Sequence, residues 1–248
     1  MGMILEAGRE KKSINSIISY LKYKFNFAKE HPIYFDADGL LVFVGAQGTG
    51  KTLSAVNYVY KLMEMYPNCI LVTNLLLSEY KFDNIRVYPF KDNDDFMKYS
   101  NGEKGVIFLI DEIQLYLNSL ESKNVNMEVM TQIAQQRKQR KHIVTTSQVF
   151  GRMAKPLREQ FSNVVVCKNI LGFIQINSLV DRDSLDCDTS ADTQITGKVK
   201  KHFFWFHNPK MYKRYDTYYV IQRGKFVSGE NQKGGIYSNG ECKPTDNN

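Results

Sequence analysis

The chain has 248 residues, 43% of them hydrophobic and 12% aromatic, which excludes general disorder and suits one main domain with a modest appendage. Its longest apolar runs, such as Val106–Ile110, fall far short of the roughly 20 residues of a membrane helix, and no signal-peptide pattern opens it. The formal charge of +7 is compatible with a polyanionic partner but proves none.

Taken in chain order, Ile14, Ile17, Ile18, Leu21 and Phe25 stand at helical spacing and predict an amphipathic helix over 13–29, within an N-terminal extension of residues 1–36. Leu40–Val44 then reads as a buried strand, and Thr52–Met65 as a helix that Pro67 follows. Between them, Gly45-Ala46-Gln47-Gly48-Thr49-Gly50-Lys51-Thr52 fits G-x-x-x-x-G-K-[ST] directly after a strand and at the head of a helix. Glycines there let successive N–H groups turn inward at phosphate oxygens, and the helix adds its positive end. In this chemistry Lys51 reaches the β- and γ-phosphates of ATP, and the Thr52 hydroxyl ligates Mg²⁺.

Cys69–Thr73 and Ile85–Tyr88 read as further strands, with a helix around Asp92–Tyr99. Val106–Ile110 is a second buried strand that delivers Asp111-Glu112 at its end. Beside a phosphate loop, Asp111 is expected to hold Mg²⁺, directly or through water, and Glu112 either orients and deprotonates the attacking water or merely caps the following helix. A water-activating glutamate suits hydrolysis and argues against a small-molecule kinase. The polar loop Asn118–Asn126 carries Lys123, a candidate contact to a phosphate backbone. Met127–Arg140 is predicted helical and ends in a basic run. That run is either a solvated helix end or the source of an arginine finger for a neighbouring subunit. Arg137 and Arg140 are the first candidates, Arg152 and Arg158 the alternates.

Ile143–Ser147 is a β-branched strand running into Gln148. In an additional-strand fold it lies between the two nucleotide strands, which places Gln148 to sense phosphate or hold the lytic water. Ser162–Cys167 closes the series, and strands alternating with helices predict a parallel sheet covered on both faces. The ATPase domain is therefore expected over residues 37–168, with 169–180 a linker or strand. Residues 181–197 form an acidic linker with five aspartates, too crowded for a two-metal nuclease site. Residues 198–235 are read as a small β-rich domain and 236–248 as a frayed tail. Lys198 to Lys225 alone carries a net +7, so the rest of the chain sums to zero. Its aromatics either grip nucleic acid together with Lys200, Lys201, Lys210, Lys213 and Arg214, or form a small core with solvated lysines. The four cysteines, Cys69, Cys167, Cys187 and Cys242, form no CxxC pair and read as reduced thiols of a cytosolic protein.

Strand–GAQGTGKT–helix, then VIFLIDEIQ, then a basic run and IVTTSQ, resembles the HerA–FtsK branch of P-loop ATPases, whose terminal glutamine maps to Gln148. Within that branch the chain resembles DNA packaging ATPases of Picovirinae-type small tailed phages and, less closely, Zonula occludens toxin-like phage assembly ATPases. The likeness covers residues 37–168. It implies an ASCE-type α/β domain, ATP with Mg²⁺, and a homo-oligomeric ring, pentamer or hexamer. It also implies double-stranded DNA and a viral portal or capsid vertex as partners, in the host cytoplasm with transient docking on the capsid. Zonula occludens toxin-like proteins carry a membrane-spanning helix after the ATPase domain; the chain shows no such stretch, so a packaging motor without stable membrane insertion is expected. The alternatives are a membrane-associated assembly or secretion ATPase, a P-loop kinase and a nucleotide-gated switch.

Overall fold

The computed structural model describes residues 19–215, except 21, 24, 28, 32, 38, 78–84, 118–126, 154, 182–183 and 185–196. Two compact units divide the chain, Met1–Tyr34 and Phe35–Asn248. In the first, residues 19–30 are helical wherever described, and the Phe27 ring packs on His31 and Tyr34 at 4.5 and 4.9 Å between centroids. The helix is expected over 13–29, and residues 13–18 of it lie outside the described residues.

The second unit is built on one eight-stranded sheet. Its elements are β1 (Leu40–Val44), α1 (Lys51–Met65), β2 (Ile70–Thr73), β3 (Arg86–Pro89), α2 (Asp95–Lys98) and β4 (Val106–Ile110). They continue with α3 (Met127–Ala134), β5 (Lys141–Ser147), α4 (Lys155–Arg158), β6 (Phe161–Ile170), β7 (Ile174–Val180), β8 (Val199–Phe206) and α5 (Pro209–Tyr212). The strand order is β3-β2-β4-β5-β1-β6-β7-β8. The first six strands of that order run parallel, while β7 and β8 are added antiparallel. The strand expected between the two nucleotide strands is there: β5 pairs β4 on one side and β1 on the other.

Side chains alternate across each strand, so the apolar runs feed two cores. Leu41, Phe43, Leu71, Ile107, Leu109 and Val144 face α1 and pack on Ala55, Val56 and Val59. Leu40, Val42, Val72, Phe108 and Ile110 face Phe90, Phe96, Ile133, Phe150 and Leu157 on the other side. Strands buried on both faces read as continuous apolar runs, as β1 and β4 do.

Two expectations are corrected. The helix predicted to Arg140 stops at Ala134, and residues 135–140 are turns. Gln136 ends it: its carbonyl accepts from Lys141 N at 2.9 Å and its side-chain Oε1 accepts from Gly39 N at 3.1 Å. The second correction concerns the region after residue 168. Val199–Phe206, expected to begin a small domain of its own, is the eighth strand of the same sheet, because β7 offers it a full edge to pair with. Residues 216–235 of that expected domain, the tail 236–248 and most of the acidic linker lie outside the described residues. Among the described residues no helix is long and apolar enough to cross a membrane.

Candidate nucleotide site

Parallel strands of an α/β sheet bring their C-terminal ends to one edge, and ligands bind in the crevice there. Here that edge collects Gly45 after β1, Asp111 and Glu112 after β4, and Gln148 after β5. The loop 45–50 needs its glycines. A Cβ on Gly45, at φ +151°, would stand 2.7 Å from the Thr49 hydroxyl and 2.9 Å from the Cys167 carbonyl. Thr49 Oγ1 and Lys51 Nζ both donate to the Ala46 carbonyl, at 2.8 and 3.0 Å. Among the described residues no side chain caps the start of α1. Its first N–H groups, with the helix dipole behind them, are therefore left for an anion.

The acids follow from strand alternation. Ile107 and Leu109 face α1, so Asp111 does too, and its Oδ1 accepts from Thr52 Oγ1 at 2.8 Å. Val144 faces the same way on β5, and Thr146, two residues on, donates to the same Oδ1 at 2.6 Å. Asn74, just past β2, clamps the Asp111 backbone: its Oδ1 accepts from Asp111 N at 2.8 Å and its Nδ2 donates to Asp111 O at 2.9 Å. Burial raises the Asp111 carboxyl above the ordinary carboxylate range; the Thr146 and Thr52 hydroxyls and the Lys51 charge pull the other way, while the Glu112 charge adds to the rise.

Glu112 sits at φ 52°, ψ 55°, a left-handed conformation uncommon for a residue with a side chain. The turn swings its carboxylate away from Asp111. Oε1 accepts from Gln148 Nε2 at 3.0 Å, Oε2 from Gln114 Nε2, and the backbone N–H donates to Thr146 Oγ1 at 2.9 Å. Two adjacent acids thus occupy different environments, one buried under hydroxyls, one held by amides at the mouth of the crevice.

A Mg²⁺ ion suits this donor set of hard oxygens, Thr52 Oγ1 and Asp111 Oδ1 lying 2.8 Å apart beside the phosphate loop. Among the described residues no three His, Cys, Asp or Glu side chains come together as a metal cluster.

The remaining predicted residues divide. Arg137 and Arg140 precede β5, at the opposite end of the parallel sheet from the loop; Arg140 O accepts from Val106 N at the start of β4. Arg158 ends α4 just before β6 begins, at that same far end, with a buried Nε that has no hydrogen-bond partner. The Arg152 side chain and Lys123 lie outside the described residues. Lys200 pairs with Asp181 at 3.1 Å and Lys201 lies over the Phe203 ring at 4.9 Å. Arg214 is drawn onto α1, 3.2 Å from Asn57 Oδ1 and 4.5 Å over the Tyr60 ring. Lys210 and Lys213 are exposed. The described aromatics of β8 form no core of their own: Phe204 is 67% exposed and Phe206 70%.

Sequence reasoning missed Asn74, Gln114, Thr146, Gln175 and Asn177. The available signal was polar side chains within or at the ends of otherwise apolar strands, as in Thr73-Asn74, Thr145-Thr146 and Gln175-Ile176-Asn177.

A phosphate loop after β1, an acidic pair after β4 and a strand inserted between them define a nucleotide-binding P-loop NTPase of the additional-strand type. The chain belongs to the Zonular occludens toxin (Zot) family, which it matches over residues 39–217. That match runs past the motifs through β7, β8 and α5, and it falls on the second of the two phage resemblances. In structure the chain is similar to the N-terminal domain of zonular occludens toxin from Neisseria meningitidis, at 15% identity, 72% of this chain, 98% of that one and a TM-score of 0.49. It is also similar to the genome packaging NTPase B204 of Sulfolobus turreted icosahedral virus 2 in complex with ATP-gammaS, at 13% identity, 66% and 97% coverage and 0.46. A third likeness is to the flagellar accessory protein FlaH from Methanocaldococcus jannaschii, at 13% identity, 57% and 77% coverage and 0.41. No curated protein matches the sequence.

Proposed function

We propose that the chain hydrolyses ATP to translocate double-stranded DNA into a viral capsid, as a homo-oligomeric ring of five or six subunits docked at a portal vertex. The observation that carries the hydrolytic part is the division of labour between the two acids: Asp111 under the Thr52 and Thr146 hydroxyls, Glu112 held by Gln148. Lys51 and the N–H groups of residues 45–50 bind the phosphates; Thr52 and Asp111 hold Mg²⁺. Held by these two side chains, the ion would supply positive charge that offsets the charge of the phosphates. Glu112 takes the proton of the attacking water. Gln148, bonded to Glu112, links the γ-phosphate to the position of that base. An arginine from a neighbouring subunit completes the site. DNA translocation draws its support from the sequence resemblance and from the exposed lysines and phenylalanines of β8.

Family membership favours a second reading, ATP-driven assembly or secretion of virus at a membrane. ATPase rates of the full chain, alone, with duplex DNA and with lipid vesicles, separate the two. Stimulation by DNA supports the packaging motor; stimulation by vesicles without any DNA effect overturns it.

A further inference from the structure

Gln175 on β7 is fully buried, yet it belongs to an antiparallel strand outside the parallel nucleotide core. Its Nε2 donates to the Thr49 carbonyl at 3.0 Å and to Asn177 Oδ1 at 2.9 Å. Both partners are acceptors, so the amide nitrogen must take these two contacts, and Oε1 is left to accept elsewhere. Oε1 meets His207 Nε2 at 3.1 Å. Oε1 only accepts, so His207 carries a proton on Nε2, while its Nδ1 meets the Tyr212 hydroxyl. Backbone bonding holds His207 in place, its N–H donating to Phe173 O at 2.8 Å across the β7–β8 hairpin. Asn177 Oδ1 also accepts from Ser54 Oγ at 3.2 Å, tying the same pair to the first turn of α1.

The peptide that Gln175 grips joins Thr49 to Gly50. In a trans peptide the carbonyl and the next N–H point in opposite directions. Holding Thr49 O outward therefore turns Gly50 N–H into the phosphate cradle. Gly50 itself makes room for the amide: it sits at φ +79°, and a Cβ there would run into Gln175 Oε1.

We infer that Gln175 and His207 are positioning residues of the nucleotide loop: Gln175 sets the 49–50 peptide so that its N–H faces the phosphates, and His207 locks the Gln175 amide in the orientation that does so. The β7–β8 hairpin and α5 are thereby mechanically joined to the nucleotide. The inference rests on nucleotide binding by the loop, and not on hydrolysis or DNA movement.

The test measures the Kd of a fluorescent ADP with Mg²⁺ on the full chain, alongside thermal melting of each variant. Gln175→Met, equal in length but without the amide, raises Kd about tenfold, the loss of one hydrogen bond that orders a binding group. His207→Phe raises it about threefold, and His207→Gln, which restores a donor near Nε2, returns it towards wild type. A structural role alone would move melting temperature in step with Kd and would not distinguish the Gln from the Phe variant. Wild-type Kd in Gln175→Met, or equal Kd in the two His207 variants, overturns the inference. Should Gln175→Met fail to fold, the His207 pair still decides. Lys51→Ala serves as the reference: if it binds as wild type does, the nucleotide-site reading itself fails, and the positioning role fails with it for that separate reason.

Discussion

At the scale of single residues, the site rests on two carboxylates that strand geometry treats differently. Glu112 occupies a backbone conformation that costs a non-glycine residue of order 1–3 kcal/mol, and what that conformation achieves is to aim its carboxylate at Gln148 rather than at Asp111. Glu112→Gln keeps the shape and removes the base; turnover is expected to fall at least about a hundredfold while nucleotide Kd stays within about twofold. Near-normal turnover in a steady-state assay would remove Glu112 from the chemistry. Asp111 gives a second prediction with the opposite sign for stability. Its carboxyl is raised by burial, so the nucleotide-free protein binds a proton there more readily than the unfolded chain does. Stability from this group is full below the ordinary carboxylate range and is lost as pH rises through the raised value. Asp111→Asn, whose Oδ1 still accepts from Thr52 and Thr146, should melt about 2 °C or more above wild type at neutral pH and lose turnover. A lower melting temperature would show that the charge itself stabilises the empty site. The motif residues were legible because each bears a fixed offset to a strand end. Thr146, Asn74 and Gln175 were not, because what makes them functional is a partner 35, 37 or 126 residues away.

At the scale of elements, β5 is the hinge of the architecture. It lies between the strands that carry the loop and the acids, and its far end begins with a buried lysine. Lys141 is 4% exposed and donates to the Phe96 carbonyl at 2.7 Å; burial pushes its ammonium down to about 8. Folding therefore favours the neutral amine: the contribution of Lys141 is lowest below pH 8 and grows up to its unfolded value of 10.5. Denaturant unfolding of wild type and Lys141→Met across pH 7 to about 10.5 should show the wild type gaining stability relative to the variant as pH rises; a flat difference would contradict the burial. Elements were legible in proportion to how far packing alone determined them. The runs at β1 and β4 matched to the residue, since a strand covered on both faces has nothing polar to display. Met127–Arg140 read too long because its helical pattern continues into Gln136, where a side-chain bond to Gly39 and a carbonyl bond to Lys141 end the helix. The β8 segment read as a separate domain because its exposed aromatics mimic a core in sequence, and only pairing with β7 reveals an edge strand.

At the scale of the whole molecule, the sheet polarity constrains where an arginine finger can act. Gly45, Asp111 and Gln148 stand at the C-terminal ends of the parallel strands, while Arg137 and Arg140 stand at the N-terminal end of β5. With roughly 3.3 Å of rise per residue, the seven residues of β5 separate the two ends by more than the reach of a side chain. Neither arginine can reach its own subunit's site, so a finger role for either would require a neighbour's site, as in the proposed ring with head-to-tail contacts. The prediction is complementation between two inactive chains. Lys51→Ala keeps its arginines but cannot bind phosphate; the double variant Arg137→Ala, Arg140→Ala keeps its loop but offers no finger, a loss of about 10³-fold or more. Mixed one to one and allowed to exchange, a quarter of interfaces join an intact loop to an intact arginine, so activity should recover to about a quarter of wild type. No recovery from this mixture, nor from equivalent mixtures with Arg152→Ala and Arg158→Ala, would mean that none of these arginines acts across a subunit interface. Recovery in the Arg158 mixture alone would move the finger to α4, whose position before β6 places it at the same end of the sheet.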